Sequence, residues 1–191
     1  MKMSRREYNK WYQDYLKDVN LDDIEYKRFN YQELLKFLKE NYYDEEFNKY
    51  VCWEPDGFMS PFGMYYLEFS TSSYDFSYFL GLVNNFKGTK TIAFCMVYDD
   101  NFGPRDETEN RYGYISTVET NYFFRDKGVL NKSLVQLKDV FKYNDILVLS
   151  PESLQGSRVG MFEKIKTHLG DTIDIITEDE YYDSLSTRQK W

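Results

Sequence analysis

Alanine is almost missing from this 191-residue chain: Ala93 is the only one. Tyrosine and phenylalanine, at 19 and 15 copies, stand at the other extreme. That imbalance reads as a base-composition bias, so no single tyrosine is taken as a site. Histidine is nearly absent too. His168 lies near a helix end before Gly170, where a cation interacts well with the helix dipole, and no acid or nucleophile is patterned around it. Cysteine is scarce: Cys52 and Cys95 are far apart and match no metal spacing, which leaves no metal site in the sequence. Cys95, inside an apolar strand pattern, reads as a reduced core residue. No apolar run reaches 18 residues, so no membrane span is expected. The N-terminal charges are followed by polar and aromatic residues rather than an apolar segment, so no secretory signal is read and a cytoplasmic location is the default expectation.

Basic runs are lacking as well. Lys2, Arg5 and Arg6 are the nearest approach, in a chain with 32 acidic and 24 basic residues and a formal net charge of -8. Such a chain is repelled by a nucleic-acid backbone, which removes that class of partner. An acidic surface suits a cationic substrate such as an amine, but an ordinary solvated surface with a charge excess is the plainer reading. Ser150 and Ser153 flank Pro151-Glu152 but lack a Gly-x-Ser-x-Gly elbow, which argues against a serine hydrolase.

Periodicity gives the order of elements. Residues 5–19 predict an N-terminal helical extension within 1–20. A short strand over 24–29 precedes Asn30, a helix N-cap with Glu33 three residues on. The helix from Tyr31 continues or restarts to Val51. A loop over 55–63 leads to strands at 64–69, 78–83 and 91–98, the last apolar on both faces and therefore central. A polar connection over 99–110 precedes the strand Tyr112–Thr120. Leu130, Leu134, Leu137 and Phe141 mark a helix. Asp145–Ser150 reads as a buried parallel strand. A helix from Ser157 ends before Gly170, and 172–177 is the last strand. Residues 178–191 form a polar tail, frayed or a short helix. The whole is one α/β domain over 1–191, an antiparallel meander feeding a strand–helix–strand–helix–strand half.

Between the strand Tyr112–Thr120 and the next helix sits the basic turn Arg125-Asp126-Lys127-Gly128. A strand that turns through glycine into a helix N-terminus aims backbone N–H groups at one point and binds phosphate. The alternative is a basic turn that only joins two elements.

Arg125 and Gly128, on this strand–turn–helix, resemble the Gln/Arg-x-x-Gly-x-Gly/Ala acyl-CoA motif of the GNAT superfamily of N-acetyltransferases. Leu130 stands where that family has Gly or Ala. The resemblance implies a GNAT-like mixed central sheet, antiparallel in its N-terminal half, with acetyl-CoA as co-substrate. It places the pantetheine arm along Val118 and Thr120. Arg125, Asp126, Lys127, Gly128 and Val129 take the pyrophosphate, and Asn131 and Lys132 open the helix. It implies Glu119 as the base, taking a proton from the amine; the other reading of Glu119 is a solvated or salt-bridged strand residue. The family's usual acid, a tyrosine, is matched by Phe162, which has no proton to give. Ser150, Ser153 and Tyr143 are the alternatives, and no spacing chooses among them. The implied activity is transfer of an acetyl group from acetyl-CoA to an unidentified small-molecule or peptide amine. The competing reading is a non-catalytic GNAT-like module that binds a protein partner, which Leu130 and Phe162 favour. Oligomeric state stays open, a homodimer included.

Overall fold

The structure is a computed structural model that describes residues 20–44, 49–50, 76–84, 90–103, 110–120, 124–151 and 159–188. The expected helix over 5–19 and the expected elements between 55 and 73 lie outside the described residues. The fold is α/β, with a mixed six-stranded sheet in the order β1-β4-β5-β6-β7-β8. Its strands are β1 (Glu25–Phe29), β4 (Ser77–Asn84), β5 (Lys90–Phe102), β6 (Tyr112–Thr120), β7 (Ile146–Leu149) and β8 (Asp174–Thr177). A separate pair, β2 (Tyr43–Asp44) and β3 (Lys49–Tyr50), is antiparallel. The helices are α1 (Tyr31–Tyr42), α2 (Val129–Val140), α3 (Val159–Leu169) and α4 (Glu178–Arg188). The chain forms two compact units, 1–95 with 120–129, and 96–119 with 130–191.

In the first unit β1 and β4 run antiparallel, with Tyr26 opposite Gly81. A Cβ on Gly81 would meet Ile24, Tyr26 and Phe94 at 3.2 Å each, so a bare backbone is what these side chains pack against. Phe79 stacks on Tyr26 at 5.6 Å and meets Phe94 edge-on at 6.3 Å. Helix α1 begins at the predicted capping box: Asn30 N–H donates to Glu33 Oε2 and Glu33 N–H to Asn30 Oδ1, both at 2.9 Å. The helix, expected to continue or restart as far as Val51, ends at Tyr42; Val51 itself lies outside the described residues. It gives way at Tyr43 to the β2–β3 pair, in a stretch rich in tyrosine, a residue that favours strands over helices.

In the second unit β6, β7 and β8 are parallel, as the run from Asp145 to Ser150 predicts. Leu147, Val148 and Leu149 are fully buried, as a strand between two others must be. Leu134, Leu137 and Phe141, predicted as one helix face, are buried with Ile165 and Leu169 of α3. Buried Tyr112, Val148 and Tyr181 form a further cluster, joined by Phe102, Tyr114, Ile176 and Leu185. Tyr181 and Leu185 belong to α4, so residues 178–188 are a packed helix rather than a frayed tail. Thr177 caps it: its N–H donates to Glu180 Oε2 at 2.7 Å, and Glu180 N–H donates to Thr177 Oγ1 at 3.3 Å.

β5 extends four residues past its predicted end at Tyr98. Its residues Ile92 to Met96 are all buried, and it lies third in the strand order, central as expected. Cys95 is a buried free thiol.

Candidate functional site

The turn is built first by its anchors. Phe124 and Val129 are buried, and the four residues between them, Arg125, Asp126, Lys127 and Gly128, are all exposed. Two apolar side chains thus pin a polar loop at both ends. Within it Asp126 has φ 59° and Gly128 φ 78°, while Arg125 and Lys127 keep negative φ. Alternation of hand along a turn is the backbone pattern from which anion-binding nests are built. Arg125 folds back, its Nε donating to Thr120 O at 3.3 Å, the last carbonyl of β6. The turn opens α2, whose first turn carries no acidic residue to compete for its N–H groups. Asn131 and Lys132 are exposed on that first turn, and Leu130 is half-buried.

The strand before the turn has a second feature. β6 is nine residues long, but its register with β7 covers only Tyr112 to Ile115. Ser150, the residue after β7, closes the ladder. Its N–H donates to Ile115 O at 3.0 Å and its hydroxyl to Ser116 O at 2.5 Å. Successive carbonyls of a regular strand face opposite neighbours, so one residue reaching both marks a bend in β6. Burial breaks step at the same place: Ile115 and Val118 are buried, three residues apart, with half-buried Ser116 and Thr117 between them. Among the described residues, β7 stops before Ser150 while β6 runs on to Thr120, a fork whose open arm is 118–120. Val118 is buried in the open arm, and Glu119 and Thr120 are half-buried there.

Behind the fork, Tyr114 donates from its hydroxyl to Glu178 Oε2 at 3.2 Å. Burial, then the Glu178 charge, push its phenol up to about 12, with the Ser150 hydroxyl opposing. The sequence reading does not reach this group, because Glu178 is 64 residues from Tyr114 and the two share no local pattern.

The other sequence candidates are placed apart from such chemistry. Phe162 is half-buried beneath Lys166, whose Nζ lies 5.9 Å from the ring. Tyr143 is exposed, with Lys142 Nζ 4.9 Å from its ring. Ser150 is buried, and its hydroxyl donates to Ser116 O. Ser153 lies outside the described residues. His168 ends α3 with Nδ1 2.8 Å from Lys164 O. No described helix is long and apolar enough to cross a membrane.

No family model matches the sequence, and no curated protein is similar to it. Two solved structures are similar at low identity. One is an aminoglycoside acetyltransferase from an uncultured soil metagenomic sample in complex with trehalose. It is 12% identical, with 76% of this chain and 88% of that chain covered and a TM-score of 0.47. The other is an aminoglycoside acetyltransferase from such a sample in complex with sisomicin, at 13%, 78%, 90% and 0.45. The likeness is coarse, and the site is read from this chain's own residues.

Proposed function

We propose that this protein is an acyl-CoA-dependent N-acyltransferase that moves an acetyl group from acetyl-CoA to an amine. The turn of alternating hand at Arg125–Gly128, opening a helix straight after a strand that outruns its neighbour, carries the reading. The turn's N–H groups, with Lys127 beside them, suit a pyrophosphate. A Cβ on Gly128 would meet nothing within 4 Å, so the turn leaves room for a ligand over its backbone. The open arm of β6 suits an extended amide chain such as pantetheine, which can take strand-type hydrogen bonds along Val118 and Thr120. Bound acetyl-CoA would supply the acyl group activated as a thioester. The chain's own part is to orient it, to polarise its carbonyl with strand amides, and to take a proton from the incoming amine. Glu119, half-buried on the open arm, is the residue for that last task.

Calorimetric titration with acetyl-CoA tests the reading, alongside a melting scan. A ligand at a hundredfold excess over Kd adds about 2.7 kcal/mol of stability. If neither heat nor a shift in melting appears, the protein is the non-catalytic interaction module instead, the reading that Leu130 and Phe162 favour. Once an amine acceptor is found, Glu119→Gln should lower turnover by about 10²–10⁴-fold with little change in acetyl-CoA affinity. Parent-like turnover in that variant returns Glu119 to an ordinary strand residue.

A further inference from the structure

We propose that copies of this protein associate head to tail, the acidic face of α4 in one copy docking on the basic face of α2 in the next. The inference is independent of the acyltransferase reading. Among the described residues, three large apolar side chains stand out in solvent: Val135 at 53% exposure, Tyr143 at 66% and Tyr182 at 53%. Val135 is on α2, Tyr143 lies just past its end, and Tyr182 is on α4. Helical spacing puts Val135 on one exposed stripe with Lys132, Lys138 and Asp139. Exposed Lys142 follows in the turn, its Nζ 4.9 Å from the Tyr143 ring. This face is basic in a chain whose formal net charge is -8. On α4 the same spacing groups Tyr182 with exposed Asp179, Asp183 and Ser186, and 178–186 contains no Lys or Arg. Tyr182 meets buried Tyr181 edge-on at 5.4 Å, so its ring is held in place. Each patch is thus an apolar side chain among charges mainly of one sign, and the two signs are opposite. The patches lie on opposite faces of the sheet, because successive residues of β6 point to opposite faces. Tyr112 meets Tyr181 of α4 at 5.4 Å, whereas a Cβ on Gly113 would lie 2.8 Å from Phe141, at the end of α2. One copy therefore cannot join its own two patches, and a symmetric pair cannot bury both. The contact is heterologous and propagates from copy to copy.

The test is light scattering on the full chain over a concentration series. The average mass of the parent should climb past two chains as concentration rises. It should fall back toward one chain in about 1 M NaCl, where charges are screened beyond roughly 3 Å. Val135→Gln with Lys138→Gln removes the α2 patch, and Tyr182→Gln with Asp183→Gln removes the α4 patch. Neither pair adds a charge that could make a new contact. Each double variant alone should stay monomeric. Mixed, the two should form a one-to-one pair and stop there, since each keeps one half of the contact. A parent that stays monomeric at every concentration overturns the proposal. So does a parent that stops at two chains, a double variant that associates like the parent, or a mixture that stays monomeric while the parent associates. Should one double variant fail to fold, by circular dichroism, the other decides. A one-faced chain added to the parent should cap growth and lower the average mass, and no such fall overturns the proposal. All of these outcomes are read without acetyl-CoA, so they stand apart from success or failure of the acyltransferase reading.

Discussion

Arg111 grips Asp145 from three nitrogens. Its backbone N–H reaches Oδ2 at 3.0 Å, its Nε reaches Oδ2 at 3.1 Å and its Nη2 reaches Oδ1 at 3.2 Å. Asp145 N–H returns a bond to Arg111 O at 2.8 Å, and Asp145 O accepts from Asp174 N–H at 3.1 Å. One aspartate thus ties the N-terminal ends of β6, β7 and β8 at the end of the fork opposite its opening.

Removing the aspartate should therefore cost more than removing the arginine side chain. Arg111→Ala keeps the backbone N–H bond to the carboxylate, whereas Asp145→Ala loses both kinds of bond. Asp145 is held below its usual 3.8, first by the guanidinium hydrogen bond, then by the backbone one. A depressed carboxylate gives stability that is present above pH 3.8 and lost as pH falls through the folded value. Urea unfolding at pH 6 and pH 3 should show the parent losing more on acidification than Asp145→Ala. Equal costs for the two variants at pH 6 would show that the backbone bond contributes nothing.

Gly113 gives a prediction about space. A Cβ there would lie 2.8 Å from Phe141 Cδ1 and 3.2 Å from Asn144 Cγ. Phe141 is fully buried and meets Tyr98 edge-on at 5.5 Å, so its ring has nowhere to go. Gly113→Ala should cost roughly 1–3 kcal/mol through overpacking. Phe141→Leu in the same chain should recover part of that loss. A double variant that simply adds the two single costs would mean that the methyl and the ring do not collide.

How far the sequence speaks depends on where each signal sits. The capping box Asn30–Glu33 and the buried strand at β7 are local patterns, and both are legible. Thr177-Glu178-Asp179-Glu180 carries the same capping signal. The polar composition of 178–191 hides it, because α4 packs mainly through Tyr181 and Leu185 among charged neighbours. Gly128 between a strand pattern and a helix pattern points to the turn, and Arg125 joins it through the motif resemblance. The φ of Asp126 does not show in the sequence, since aspartate adopts either hand at modest cost. The fork is not legible at all. It depends on Ser150 meeting Ser116 across 34 residues, and no local periodicity encodes where a parallel ladder stops.

Gly128 separates the demands of backbone from those of space. Its φ of 78° favours glycine, yet an added Cβ would touch nothing within 4 Å. Gly128→Ala should cost about 1 kcal/mol net, the left-handed penalty less the entropy that alanine removes from the unfolded chain. Gly128→Asn should cost less, because asparagine visits this region more readily. Chemical denaturation of the three proteins checks the order. If alanine and asparagine cost the same, the turn has rearranged to a right-handed form. The loss of convergent N–H groups should then appear as weaker acetyl-CoA binding.

Tyr114 gives the alkaline limb. Its phenol is raised from 10 to about 12, first by burial and then by Glu178, so the fold favours the neutral form. The stability this contributes is fully present below pH 10 and is lost as pH rises toward 12. Tyr114→Phe keeps the stack on Phe102 and removes the hydroxyl. At pH 7 it should cost about 1 kcal/mol, since Tyr114 is only half-buried and solvent screens its bond to Glu178. Between pH 10 and 12 the gap between parent and variant should close, because the parent alone loses this term; the other tyrosines and lysines titrate in both proteins and cancel. Urea midpoints at pH 8, 10 and 11.5 measure it. A gap that stays constant across that range would mean that Tyr114 ionises no later in the folded chain than in the unfolded one. The Glu178 contact would then be an exposed bond of no consequence to the fold.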